Sequence, residues 1–162
     1  MKFQALRSVT AAAVASTMLF GAQPAISQAG PFGAIGGSWA GTGTIKKSNG
    51  GSERIRCRAV YEPNAANLQL RIRCASDSYN IDLNSSMTFQ GGTLSGQWQE
   101  ATRQLSGSIS GQSTGGGAHI QAVATGPVTS NITVTTRGGH QSVAMFFPGT
   151  EVPEVLMSLE KR

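Results

Sequence analysis

Arg54, Arg56 and Arg58 alternate along one short stretch, and Arg71 and Arg73 alternate along another. Alternate residues of an extended chain lie on one face. Each run would therefore present its guanidinium groups together. The guanidinium is a planar fork of donors that suits phosphate and carboxylate oxygens. The chemistry this points to is anion binding: a phosphate, a carboxylate, a lipid headgroup such as that of lipopolysaccharide, or an acidic protein surface. The competing reading is a solvated face, with Glu53, Glu62 or Asp82 as neutralisers and the arginine stems covering apolar surface.

Other chemistries find little support. His119 and His140 are the only histidines. Neither stands in a zinc-protease or nucleophile-elbow motif, or at a paired-ligand spacing. The eight acids form no evident pair along the chain. Gly115-Gly116-Gly117 lacks the Lys-Ser or Lys-Thr that would make it a phosphate loop. Asn84-Ser85-Ser86 and Asn131-Ile132-Thr133 are glycosylation sequons, meaningful only in a eukaryotic secretory host. The expectation is a protein without catalytic residues, metal or cofactor.

The two cysteines are Cys57 and Cys74. Cys57 belongs to a segment in which Ile55, Cys57 and Ala59 share a face. The chain then turns at Pro63-Asn64-Ala65-Ala66-Asn67 and returns through Leu68, Leu70, Ile72 and Cys74. If Cys57 sits opposite Cys74, Ala59 faces Ile72 and Pro63 faces Leu68. Both cysteines then lie on the apolar face, where a cross-strand bridge is geometrically natural. The other reading is two buried free thiols. The same register puts Arg58 opposite Arg73, so five guanidinium groups crowd the outer face of one hairpin.

The elements that must position these residues read as strands. Gly, Ser and Thr are abundant and the apolar residues alternate. Trp39, Gly41, Gly43 and Ile45 share a face ahead of a Ser48-Asn49-Gly50-Gly51 turn. Tyr79, Ile81, Leu83, Met87 and Phe89 keep one parity before Gly91-Gly92. Leu94, Gly96 and Trp98 follow, then Leu105, Gly107 and Ile109. Gln112 to Gly117 reads as a flexible loop, and Ile120, Ala122 and Ala124 begin the next strand. Val128 to Thr136 is rich in β-branched residues. Val143 to Phe147 is apolar on both faces, which predicts a strand covered on both sides. Val155, Met157 and Leu159 alternate as in a closing strand, although Val152, Val155, Leu156 and Leu159 also fit a helix.

That makes nine or ten strands joined by short turns, all able to pair antiparallel. The fold class is all-β: an up-and-down antiparallel β-barrel, with a two-sheet sandwich as the alternative. Closure removes exposed strand edges and favours the barrel. Mid-strand glycines suit a small, tightly coiled sheet.

The leader sets the compartment. Lys2 and Arg7 precede an apolar run from Val9 to Gly21, then Pro24 and Ser27-Gln28-Ala29. That is the pattern of a cleavable secretory signal peptide over residues 1–29. The apolar run of 13 residues is shorter than the roughly 20 needed to span a bilayer. The expected mature chain is a single domain over residues 30–162, periplasmic or secreted. Losing Lys2 and Arg7 leaves 11 basic residues against 8 acids, so the net charge falls from +5 to +3. An excess this mild does not argue for nucleic acid. No later stretch is long and apolar enough for a transmembrane helix. Aromatics at 6% and a Leu159-Glu160-Lys161-Arg162 terminus argue against an outer-membrane barrel.

Two resemblances bear on these residues. Gly37-Ser38-Trp39 resembles the Gly-x-Trp opening of calycin barrels, the lipocalins and avidins among them. That likeness implies a tryptophan on the first strand that plugs one end of the barrel. Ser38-Trp39-Ala40-Gly41-Thr42-Gly43, Glu53-Arg54-Ile55-Arg56-Cys57-Arg58 and Arg73-Cys74-Ala75-Ser76-Asp77-Ser78-Tyr79 resemble a group of small uncharacterised exported proteins of Gram-negative bacteria. That likeness implies no activity. The functional expectation is a non-enzymatic envelope protein whose barrel binds a small or amphipathic ligand or an anionic envelope component. The alternative is an interaction or inhibitor module that presents loops such as Gln112–Gly117 to an envelope protein.

Overall fold

Turn chemistry sets the strand boundaries. In the computed structural model, which describes residues 30–162, ten strands follow one another. They are β1 (Gly37–Lys46), β2 (Ser52–Asn64), β3 (Asn67–Ala75), β4 (Asn80–Gln90), β5 (Thr93–Glu100), β6 (Leu105–Thr114), β7 (His119–Thr125), β8 (Ser130–Arg137), β9 (His140–Phe146) and β10 (Glu154–Lys161). Gly91 and Gly92 both take positive φ, 59° and 88°, as the tight β4–β5 hairpin turn requires. The proposed signal peptide lies outside the described residues.

Each strand pairs antiparallel with its neighbour in sequence, and β1 pairs with both β2 and β10, which closes the barrel. No sandwich forms, because every strand finds its partners within a single closed sheet. Alternation then sorts the side chains. Ile55, Cys57, Ala59 and Tyr61 of β2 point inward and are buried, while Arg54, Arg56 and Arg58 point out. The same apolar-in, polar-out sorting runs through β3 and β5, and through β7 and β10 apart from exposed Val123 and Leu156. It is the inverse of a lipid-spanning barrel, whose outer wall must be apolar.

The β2–β3 hairpin has the register read from the sequence: Cys57 faces Cys74, Ala59 faces Ile72 and Pro63 faces Leu68. Cys57 and Cys74 are joined as a disulfide. Several mid-strand glycines mark places where the coiled sheet brings backbones together. At Gly107 a Cβ would overlap the Thr125 carbonyl oxygen across the β6–β7 pair.

One end of the barrel is closed by a segment the sequence reading left unassigned. Residues 30–36 form tight turns across that end, with Phe32 and Ile35 fully buried. The Ala34 amide donates to the Gly116 carbonyl at 2.8 Å. The Phe32 ring meets Phe89 edge-on at 6.0 Å between centroids. Trp39 lies buried against this segment, its indole N–H donating to the Ile35 carbonyl at 2.8 Å. Lys161 Nζ stands 5.5 Å from the Trp39 ring centroid.

Two local expectations are corrected. Gln112–Gly117 is not a free loop. β6 continues to Thr114, and the turn beyond it is held by the 30–36 segment, with Gly117 buried. The Val143–Phe147 strand is not covered on both sides. A single-layer barrel has one interior, so Ala144 and Phe146 face outward and Phe146 is 43% exposed.

Candidate functional site

Ten strands enclose more space than their inward side chains fill. The result is a cavity of about 510 Å³. Its size falls within the roughly 300–1,000 Å³ of small-molecule pockets. The wall is almost wholly aliphatic and aromatic: Ile55, Leu70, Ile72, Met87, Trp98, Ile109, Val134 and Met157 are among its residues. Small side chains at Ala122 and Ala124 on β7 leave room on one side.

The floor lies at the end that residues 30–36 close. Tyr61 and Leu68 line the cavity there. The Tyr61 hydroxyl donates to Gln141 Oε1 at 2.9 Å, and Gln141 Nε2 donates to Thr136 Oγ1 at 3.1 Å. All three residues are buried, so this chain satisfies the polar groups beneath an apolar chamber. Burial pushes the Tyr61 hydroxyl well above its usual pKa, with the Gln141 bond pulling the other way.

The mouth lies at the opposite end. Tyr79, Arg103, Val128, Phe147 and Val152, all from turns at that end, line the cavity. Two carboxylates order this rim. Glu100 is buried beside the cavity and accepts the backbone N–H groups of Asp82 at 3.0 Å, Thr102 at 3.1 Å and Arg103 at 2.7 Å. Burial raises its pKa, but the Asp82, Arg103 and Thr102 bonds outweigh that and hold it below the usual carboxylate value. Arg103 Nη1 donates to the Asn80 carbonyl at 3.2 Å and lies 3.7 Å from Glu100 Oε2. Glu53 accepts from Ser76 Oγ at 2.5 Å, Lys47 Nζ at 3.0 Å and the Ser78 amide at 2.9 Å. The Ser76, Lys47 and Ser78 bonds hold its pKa down at about 2. The Glu53 bond in turn raises that of Lys47. The β1–β2 and β3–β4 turns are thereby tied together at the rim.

The arginines stand on the outer wall. Cross-strand register arranges them in rows. One row runs Leu156, Thr44, Arg54; the next runs Ser158, Thr42, Arg56, Ala75. A third runs Glu160, Ala40, Arg58, Arg73, Asp82, and a fourth runs Ser38, Val60, Arg71, Asn84. All five arginines are exposed on one face. Arg73 Nε donates to Asp82 Oδ2 at 3.2 Å, and Arg71 Nε to Asn84 Oδ1 at 3.0 Å. None of the ion pairs among the described residues involves Arg54, Arg56 or Arg58. Of the suggested neutralisers only Asp82 reaches an arginine. Glu53 has inward parity, and Glu62 lies opposite Gln69 beyond the block.

His119 and His140 sit exposed at the first positions of β7 and β9, away from the cavity. Among the described residues no group of three or more histidines, cysteines or acids is placed to hold a metal ion. The sequence reading missed Glu100, Gln141 and Tyr61. Parity alone could have found them: Glu100 follows inward Trp98 by two, and Gln141 precedes inward Val143 by two.

No protein-family model matches this chain, and no curated protein matches it in sequence. Solved structures do share its fold. The crystal structure of Rv2717c from M. tuberculosis aligns with a TM-score of 0.66 at 14% identity, over 86% of this chain and 98% of that one. The S-type phycobiliprotein lyase CPES from Guillardia theta aligns with a TM-score of 0.54 at 7% identity, over 81% of this chain and 89% of the other. At these identities the likeness is one of fold, a calycin-like barrel.

Proposed function

We propose that this is an exported, non-enzymatic binding barrel that holds a small apolar or amphipathic molecule in its interior. The observation that carries the reading is the apolar cavity of about 510 Å³, floored at one end and open at the other. An empty apolar chamber forgoes dispersion contacts along its whole lining. An apolar guest restores them and leaves water at the same time. Binding rather than catalysis is favoured because the buried acid and the cysteine at the wall are already committed. Glu100 spends its oxygens on backbone amides, and Cys74 is in the disulfide. The lyase among the structural neighbours shares a fold at 7% identity, and its chemistry does not transfer on that basis. The disulfide and the leader pattern both suit an oxidising compartment.

Native mass spectrometry of the protein purified from its own host tests this reading. The expected spectrum holds a one-to-one adduct that an organic extraction removes. A chain that carries no adduct and takes up none from a total lipid extract contradicts it.

A further inference from the structure

We propose that the outer wall of β2 and β3 is a docking surface for an anionic lipid bilayer. The proposal concerns the outside of the barrel and stands apart from whatever the cavity holds.

Arg54, Arg56 and Arg58 rise in succession along β2, and Arg58 lies directly opposite Arg73. Opposed like charges cost a sheet pair stability. Asp82 relieves Arg73, but the β2 arginines have no carboxylate among the described ion pairs. Their cross-strand neighbours are short: Thr44, Thr42 and Ala40 on β1, and Ala75 beside Arg56 on β3. The Arg54 and Arg56 guanidinium groups therefore stand clear of the wall, and the long neighbour of Arg58 is another cation, Arg73. An array of phosphates would supply the missing anions.

The same rows carry exposed apolar side chains. Leu156, 38% exposed, ends the row that contains Arg54, and Val60, 36% exposed, lies opposite Arg71. Leu156 pairs with Ala144, and outward Phe146 stands two residues along from it. Cations that share their rows with exposed aliphatic groups, with an exposed aromatic ring further round the wall, match a bilayer surface. Guanidinium heads settle among the phosphates while apolar tips reach the acyl boundary. A purely electrostatic partner, a nucleic acid or an acidic protein, gives no reason for the apolar members of the rows.

Co-sedimentation of the full mature protein with vesicles tests the proposal. Vesicles of phosphatidylglycerol mixed with phosphatidylcholine should bind it at about 0.1 M salt, and pure phosphatidylcholine should not. Binding should fall steeply at about 1 M salt, as the screening length shrinks from about 10 Å to about 3 Å. Arg56→Gln should weaken partitioning about fivefold, and the triple Arg54→Gln, Arg56→Gln, Arg58→Gln variant roughly a hundredfold. Arg137→Gln changes net charge equally at the far end of β8 and should leave partitioning within about twofold. If the triple variant fails to fold, the Arg56 and Arg137 pair still decides. Equal losses for those two would overturn the proposal, since net charge alone would then explain the binding. Absence of vesicle binding alongside retention on an immobilised polyanion would overturn it too, in favour of an electrostatic partner. Loss of cavity binding with vesicle binding intact would count against the interior reading only.

Discussion

Tyr61 and Glu53 show how single polar groups maintain the two ends of the barrel. Tyr61 is buried and its hydroxyl supplies the donor that Gln141 Oε1 needs. Tyr61→Phe leaves that amide oxygen without its partner, at a cost of about 1–3 kcal/mol. Urea denaturation should show the loss as a lower midpoint at unchanged slope; an unshifted midpoint would mean that water takes the phenol's place. Glu53 works at the rim and is sensitive to pH. Its pKa falls from 4.5 to about 2 in the fold. A depressed carboxylate contributes stability that is complete above the unfolded value and is lost as pH falls through the folded one. The difference in urea midpoint between wild type and Glu53→Gln should thus be full above about pH 4.5 and close on acidification toward about pH 2. A difference that stays constant across that window would remove Glu53 as its source. The sequence suggested Glu53 as a neutraliser for arginine. Its parity, shared with Ile55, sends it to the rim instead, where Ser76 and Lys47 claim it.

The β2–β3 hairpin is the element most legible in the sequence. An Asn-Ala-Ala-Asn turn lies between two alternating runs, and placing Cys57 opposite Cys74 on the apolar face picks out the register that is formed. The bridge spans a separation of 17 residues. Loop-closure entropy assigns it about 3 kcal/mol. Cys57→Ala with Cys74→Ala should lower the unfolding free energy by about that amount, measured against the oxidised wild type. A loss below about 1 kcal/mol would show that residual hairpin structure already restrains this loop in the unfolded ensemble. Legibility fails where an element depends on what packs against it. The apolar outer residues of β9, Ala144 and Phe146, look in sequence like a second buried face, yet nothing in a single-layer barrel can cover them. Phe32 and Ile35 carry too short a pattern to announce a cap, since three-residue spacing between glycines fits any turn. The Gly115-Gly116-Gly117 turn reads as mobile because its partner, the Ala34 amide, comes from 82 positions earlier in the chain.

At the scale of the molecule, closure by β1 and β10 makes a chamber that sequence alternation foretells only in outline. Parity says which side chains point inward; the volume left between them depends on strand number and tilt. Ten strands with alanine at 122 and 124 leave the interior unfilled. The central claim is that this space takes an apolar guest. Titration with N-phenyl-1-naphthylamine, a neutral probe that fluoresces in apolar surroundings, tests it most directly when wild type is compared with Ala124→Phe. The account predicts saturable one-to-one binding to wild type, and at least tenfold weaker binding once the phenyl ring occupies the chamber, a loss on the order of 1.4 kcal/mol or more. Equal affinity in both proteins, or no saturable binding to wild type, would contradict it.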